Sequence, residues 1–175
     1  NGGISKWDVS SSTYMSAMFL GATSFNDDIS KWDVASVEDM SRMFSSAESF
    51  DGDLSKWEVS TVKSMCAMFF HAFAFNCDLS EWDVSRVNNM DYMFQGATSF
   101  HQKLCGAAWV HSKASKMNIF VGSPGSISAT ACATTSSVFL VQSTEGLQNA
   151  IAICLKMSAT GDCSNGSHGP IGKWD

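Results

Sequence analysis

From Ile4 onward the apolar positions follow one rule, then repeat it every 25 residues. Within the second copy, Ile29-x-x-Trp32-x-Val34-x-x-Val37 is followed by Met40, Met43-Phe44, Ala47 and Phe50. The first stretch alternates, so Trp32 and Val34 share one face while Asp33 and Ala35 share the other. The second stretch recurs at three to four residues, the spacing of a short helix. Each copy therefore reads as strand, turn, short helix and return loop. The copies span 4–28, 29–53, 54–78 and 79–103.

Aligned in register, the copies form columns: Trp7, Trp32, Trp57 and Trp82; Met18, Met43, Met68 and Met93; Phe19, Phe44, Phe69 and Phe94; Phe25, Phe50, Phe75 and Phe100. A period of this length is the mark of coils stacked on one another, each too small to bury its own apolar face. The expected fold is an α/β repeat, a leucine-rich-repeat-like solenoid with a parallel sheet of very short strands, short helices and disulfide-stapled caps. Its columns are read as core packing. Trp7 at one end and Trp174 at the other are expected to be more exposed than Trp32 or Trp57.

The regularity stops after 1–104. Leu104 is in register with Leu79, but Trp109 stands two residues late and the Met-x-x-Met-Phe signature does not return. Lys113, Lys116, Met117, Ile119 and Phe120 are expected to cover the end of the stack. Residues 105–143 thus read as a degenerate repeat, a C-terminal cap and a Ser/Thr-rich linker, with one strand at Val138–Val141. Thr144 is a helix N-cap candidate for a capping helix over about 145–157 within the segment 144–175. The last residues, His168 to Asp175, parallel Asn1 to Asp8, as though a second array began there and the chain were a segment of something longer.

Chemistry enters through the outward columns. Asp8, Asp33, Glu58 and Asp83 would form an acidic ladder about 4.8 Å apart if the strands pair. Lys6, Lys31 and Lys56 would neutralise it from the same face, until Glu81 replaces lysine and leaves Glu58, Glu81 and Asp83 together. The plain reading is a solvated sheet surface. The functional reading is a ligand- or cation-binding strip at Asp8, Asp33, Glu58, Glu81 and Asp83. Asp28, Asp53 and Asp78, with Asn26 and Asn76, are read as turn formers.

Six cysteines show no zinc spacing. Cys105–Cys132 and Cys154–Cys163 are the expected disulfides, with Cys66 and Cys77 left open; this pattern favours an oxidising, extracellular compartment. Asn165-Gly-Ser167 is a glycosylation sequon. His71, His101, His111 and His168 share no motif, and a nucleophilic pair of Cys105 with His101 or His111 is a remote option. A net charge of −6 and a pI near 5.0 argue against nucleic acid or an anionic membrane as partner. No cofactor, resident metal or membrane span is expected.

The Trp-Asp-Val-Ser and Met-x-x-Met-Phe elements in fixed register resemble the BspA-type leucine-rich-repeat surface proteins, over residues 1–104 and in part 168–175. Departures fall at Ser12, Thr13 and Tyr14 and in the fifth copy. The resemblance implies a secreted or cell-surface protein without enzyme activity, in some members linked to adhesion, and it supplies no catalytic residue. The functional expectation is a non-enzymatic extracellular module for protein or glycan interaction. A structural spacer without a specific ligand is the alternative, and a metal-dependent enzyme using the acidic ladder the remote one.

Overall fold

The computed structural model describes residues 3–132. By its internal contacts the chain divides into two units, Asn1–Cys132 and Ala133–Asp175. The Val138–Val141 strand, the 145–157 helix, Cys154–Cys163, Asn165 and Trp174 all lie outside the described residues.

Regular secondary structure is scarce, and this overturns the expected leucine-rich-repeat-like solenoid of strands and helices. Strand β1, Lys103–Leu104, pairs in parallel with β2, Ser126–Ile127. Helix α1 is a single turn, Ala107–Val110, and Ile4–Lys6 forms one 3₁₀ turn. The rest of the described chain is turn and coil, joined by single parallel bridges.

Two physical reasons account for the difference. The segment Trp32–Val34 does alternate, with Trp32 and Val34 buried and Asp33 exposed. Yet its backbone does not pair with the next copy. The parallel bridges fall further along, at Tyr14–Asp39, Asp39–Ser64, Ser64–Asn89 and Asn89–Ser115.

The helix fails for a reason of backbone chirality. Ala17, Arg42, Ala67, Tyr92 and Asn118 all adopt left-handed φ values of 53–60°, which no right-handed helix can continue through. Four residues on, Gly21, Ser46, His71, Gly96 and Gly122 are left-handed too, at φ values of 53–74°. The chain instead makes successive i to i−3 turns: the N–H groups of Met18, Leu20 and Ala22 donate to the carbonyls of Met15, Ala17 and Phe19. Apolar side chains still recur at three to four residues.

These turns release alternate N–H groups sideways. Those of Met15, Ala17, Phe19 and Gly21 donate to the carbonyls of Asp39, Ser41, Met43 and Ser45 at 2.8–2.9 Å. The same four-bond rung recurs from Met40–Ser46 to Ser64–Phe70 and from Met65–His71 to Asn89–Gln95. Buried backbone groups are thereby satisfied without a conventional sheet.

Side chains follow the backbone. Phe44, Phe69 and Phe94 stack face to face with ring centroids 5.6 Å apart, and Phe50, Phe75 and Phe100 form a second row at 6.0 Å. Each indole of Trp32, Trp57 and Trp82 is buried and donates its N–H to Ile4, Ile29 and Leu54 respectively. A buried indole needs such an acceptor. Trp7 is 56% exposed, against 4% for Trp32.

The fifth copy holds more of the pattern than its sequence suggests. Trp109 is buried and donates to the Leu79 carbonyl, taking the same role as the earlier tryptophans. Phe120 stacks on Phe94 at 5.5 Å, and Ile119 accepts the Phe94 N–H as Met43 accepts that of Phe19. Extra residues before these positions shift the register, and α1 absorbs the shift. Cys105 and Cys132 close this end as a disulfide, with Cα atoms 5.1 Å apart.

Candidate functional site

The acidic columns build turns. Asp8 accepts the N–H of Ser10 at 3.1 Å and its hydroxyl at 2.7 Å. Asp33 and Asp83 accept the N–H groups of Ala35 and Ser85. Asp28, Asp53 and Asp78 do the same for the residues two positions on. Asp8, Asp33, Glu58, Glu81 and Asp83 are all exposed. The strand pairing that would have spaced them into a ladder is not formed at their positions. Among the described residues no group of three or more His, Cys, Asp or Glu side chains is placed to hold a metal ion.

Serine hydroxyls hold four of these carboxyls below their ordinary range. For Asp8, Asp28, Asp53 and Asp83 the largest cause is the side-chain hydrogen bond from Ser10, Ser30, Ser55 and Ser85, followed by the same serine's backbone. A depressed folded-state pKa adds stability that is complete above the unfolded value and lost as pH falls through the folded one. The thermal midpoint should therefore decline below about pH 4. In a Ser30→Ala/Ser55→Ala/Ser85→Ala triple variant the decline should be shallower. Parallel acid melts of the two chains measure this; identical slopes would remove the carboxyl–hydroxyl pairs as its cause.

Among the described residues the thiols are not activated. Cys105 is in the disulfide, so it has no thiol to pair with His101 or His111. Cys66 and Cys77 are free. Burial pushes the Cys77 thiol up to about 11, and it raises Cys66 as well. A nucleophilic cysteine requires the opposite shift.

A concave feature lies elsewhere, beside the turn ladder. A cavity of about 490 Å³ opens where the copies differ from one another. One column there reads Leu20, Ser45, Phe70, Gln95, and the next reads Arg42, Ala67, Tyr92. Ser45 is a small residue between two large ones, and so is Ala67. Together they form the floor, with Leu20, Phe70 and Tyr92 as walls. Cys66 contributes to the same lining.

Polar groups in the cavity are few. Arg42 is exposed and supplies the one charge in the lining; among the described residues the ion pair is Lys63–Glu38, at 2.7 Å, and Arg42 joins none. The Oε1 atom of Gln95 is buried and has no hydrogen-bond partner. An apolar cavity of this size with a small number of convergent polar groups is the usual form of a binding site. Reasoning from the sequence missed it by following the columns that repeat. The signal was in the columns that do not.

Comparison with known proteins bears on the whole chain. No helix among the described residues is long and apolar enough to cross a membrane. No curated protein and no solved structure matches the chain. The family model that does match is described as Mycoplasma protein of unknown function, DUF285, and it matches twice, over residues 1–70 and 35–130. This corrects the resemblance to BspA-type leucine-rich-repeat proteins. The family matched is a different one, and the Trp-x-Val strand ladder that such a repeat requires is absent. The two matches together run from residue 1 to residue 130 of 175, and the chain accordingly belongs to the DUF285 family of Mycoplasma proteins of unknown function.

Proposed function

We propose that the chain is a non-catalytic interaction module, displayed outside the cell, that binds a protein partner through the cavity between Leu20, Phe70 and Tyr92. The observation that carries this reading is the cavity itself, with its apolar walls on a face that varies from copy to copy. Invariant columns serve packing, so side chains that break the repeat are free to serve recognition. Apolar residues normally avoid such positions, yet Leu20 is 52% exposed and Val121, one step beyond Gln95 on the same face, is 53% exposed.

A protein partner suits this lining better than a glycan. The walls are aliphatic and aromatic, and no Asp, Glu or Asn side chain lines the cavity to receive sugar hydroxyls. The disulfide Cys105–Cys132 is compatible with an extracellular setting. The acidic net charge is unfavourable for nucleic acid.

Ser45→Phe provides the test. Phenylalanine occupies the equivalent position in the next copy, at Phe70, so the substitution should fold while filling the floor. The labelled chain is offered to arrays of purified extracellular-matrix and cell-surface proteins, and to a glycan array. Saturable binding to a protein, weakened about tenfold or more by Ser45→Phe, is the expected outcome; about 1.4 kcal/mol corresponds to each factor of ten. Binding confined to glycans, or indifferent to the substitution, would overturn the reading.

A further inference from the structure

Resting on that reading, we infer that the cavity takes a peptide segment in which an apolar side chain sits beside a carboxylate. Two features of the lining select this chemistry. The space between Leu20, Phe70 and Tyr92, above Ala67 and Ser45, accepts an aliphatic or aromatic group. Arg42, at its rim, carries a guanidinium with no carboxylate partner among the described residues. Gln95 lines the same space and reports on its occupancy, although its Oε1 atom is itself closed to solvent.

The charges around the site sharpen the choice. Asp39 and Asp91 lie near Cys66, so a cationic ligand has to be weighed. Both are already engaged. Asp39 accepts the Ser41 N–H at 2.8 Å, and Asp91 accepts the Met117 N–H at 2.7 Å and the Ser115 hydroxyl. Each carboxylate makes these bonds through Oδ1 alone, and neither residue lines the cavity. Arg42 keeps its planar donor fork free, the geometry that recognises a carboxylate through two parallel hydrogen bonds. The charge in the lining itself is thus positive, although Asp39 and Asp91 remain anionic beside it and the chain carries a net charge of −6.

The probes are acetyl-Asp-Phe-amide and acetyl-Lys-Phe-amide, titrated into the isotope-labelled 175-residue chain while the Gln95 side-chain amide and the Ala67 methyl are followed by NMR. The aspartyl peptide should bind at least fivefold more tightly than the lysyl peptide, and the preference should shrink as salt is added. Arg42→Glu should reverse the order and Arg42→Gln should abolish it; both lie at an exposed position, and their folding is checked by circular dichroism. Ser45→Phe should remove both titrations. Equal affinities, an order unchanged by Arg42→Glu, shifts that persist in Ser45→Phe, or no shift with either peptide would overturn this ligand assignment. Protein binding on the arrays that remains sensitive to Ser45→Phe would then leave the broader interaction reading standing, so the two can fail separately.

Discussion

Phe69→Ala should cost about 3–5 kcal/mol of stability, the range for truncating a buried phenylalanine to alanine. Phe69 is fully buried and its ring meets three others: Phe44 and Phe94 at 5.6 Å on either side, and Phe75 at 3.9 Å. Removing it leaves a void in the middle of one row and beneath the other. Each stacked pair adds roughly 0.5–1.5 kcal/mol beyond area burial, so the loss belongs at the upper end of the range. A domain with about 5–15 kcal/mol in total would lose much of its margin. Urea titrations followed by tryptophan fluorescence measure the change. Phe73→Ala supplies the control, because Phe73 is 40% exposed and makes its ring contact with His71 on the surface. Its loss should stay within about 0.5 kcal/mol. Similar values for the two variants would mean that the stacked rows do not hold the structure together.

The second large effect concerns the Cys105–Cys132 bond. Its partners are 27 residues apart, so the closed loop is moderate, and removal should cost about 2–4 kcal/mol. The loop contains α1, Trp109, the Phe120 ring and the whole of β2. It is also the part with the weakest sequence regularity, which makes a covalent tie more valuable there. Cys105→Ser/Cys132→Ser, or treatment with reductant, should lower the thermal midpoint and expose Trp109 first, visible as a red shift in its fluorescence. An unchanged midpoint would show that packing of Trp109 and Phe120 alone closes this end. Cys66 and Cys77 remain as thiols in either case.

What the sequence made legible was burial. Trp32, Met43, Phe44 and Phe50 were assigned to the interior because four copies state the same choice, and all four are buried. Local conformation was not legible, and the reason is specific. The left-handed positions that break the helix are Ala17, Arg42, Ala67 and Tyr92. None is glycine, so residue type carries no warning of positive φ at these positions, and only Gly21, Gly96 and Gly122, four residues further on, hint at it. Three-to-four spacing then looks helical, although a chain of tight turns produces it equally well. Trp32 and Val34 likewise alternate as a strand would, but alternation reports burial of every second side chain and says nothing of a backbone partner.

The candidate site divides in the same way. Charged columns drew attention because they repeat, and repetition turned out to mean turn construction: Asp8, Asp33 and Asp83 each close a loop two residues on. Glu58 and Glu81 have no such role in the described hydrogen bonds. The cavity depends on the order of large and small residues in neighbouring copies, Leu20 before Ser45 and Ala67 before Tyr92. That juxtaposition exists only once the copies are laid side by side. Arg42 and Gln95 belong to it through position, with no motif to announce them.

Arg42 and Tyr92 have a further property in common, since both sit at φ near 60°. For residues other than glycine this conformation costs about 1 kcal/mol each. A version of this protein engineered purely for endurance would put glycine at both places and gain in heat resistance. It would also lose the rim and one wall of the candidate docking hollow, so durability and recognition pull against each other at the same two peptide units.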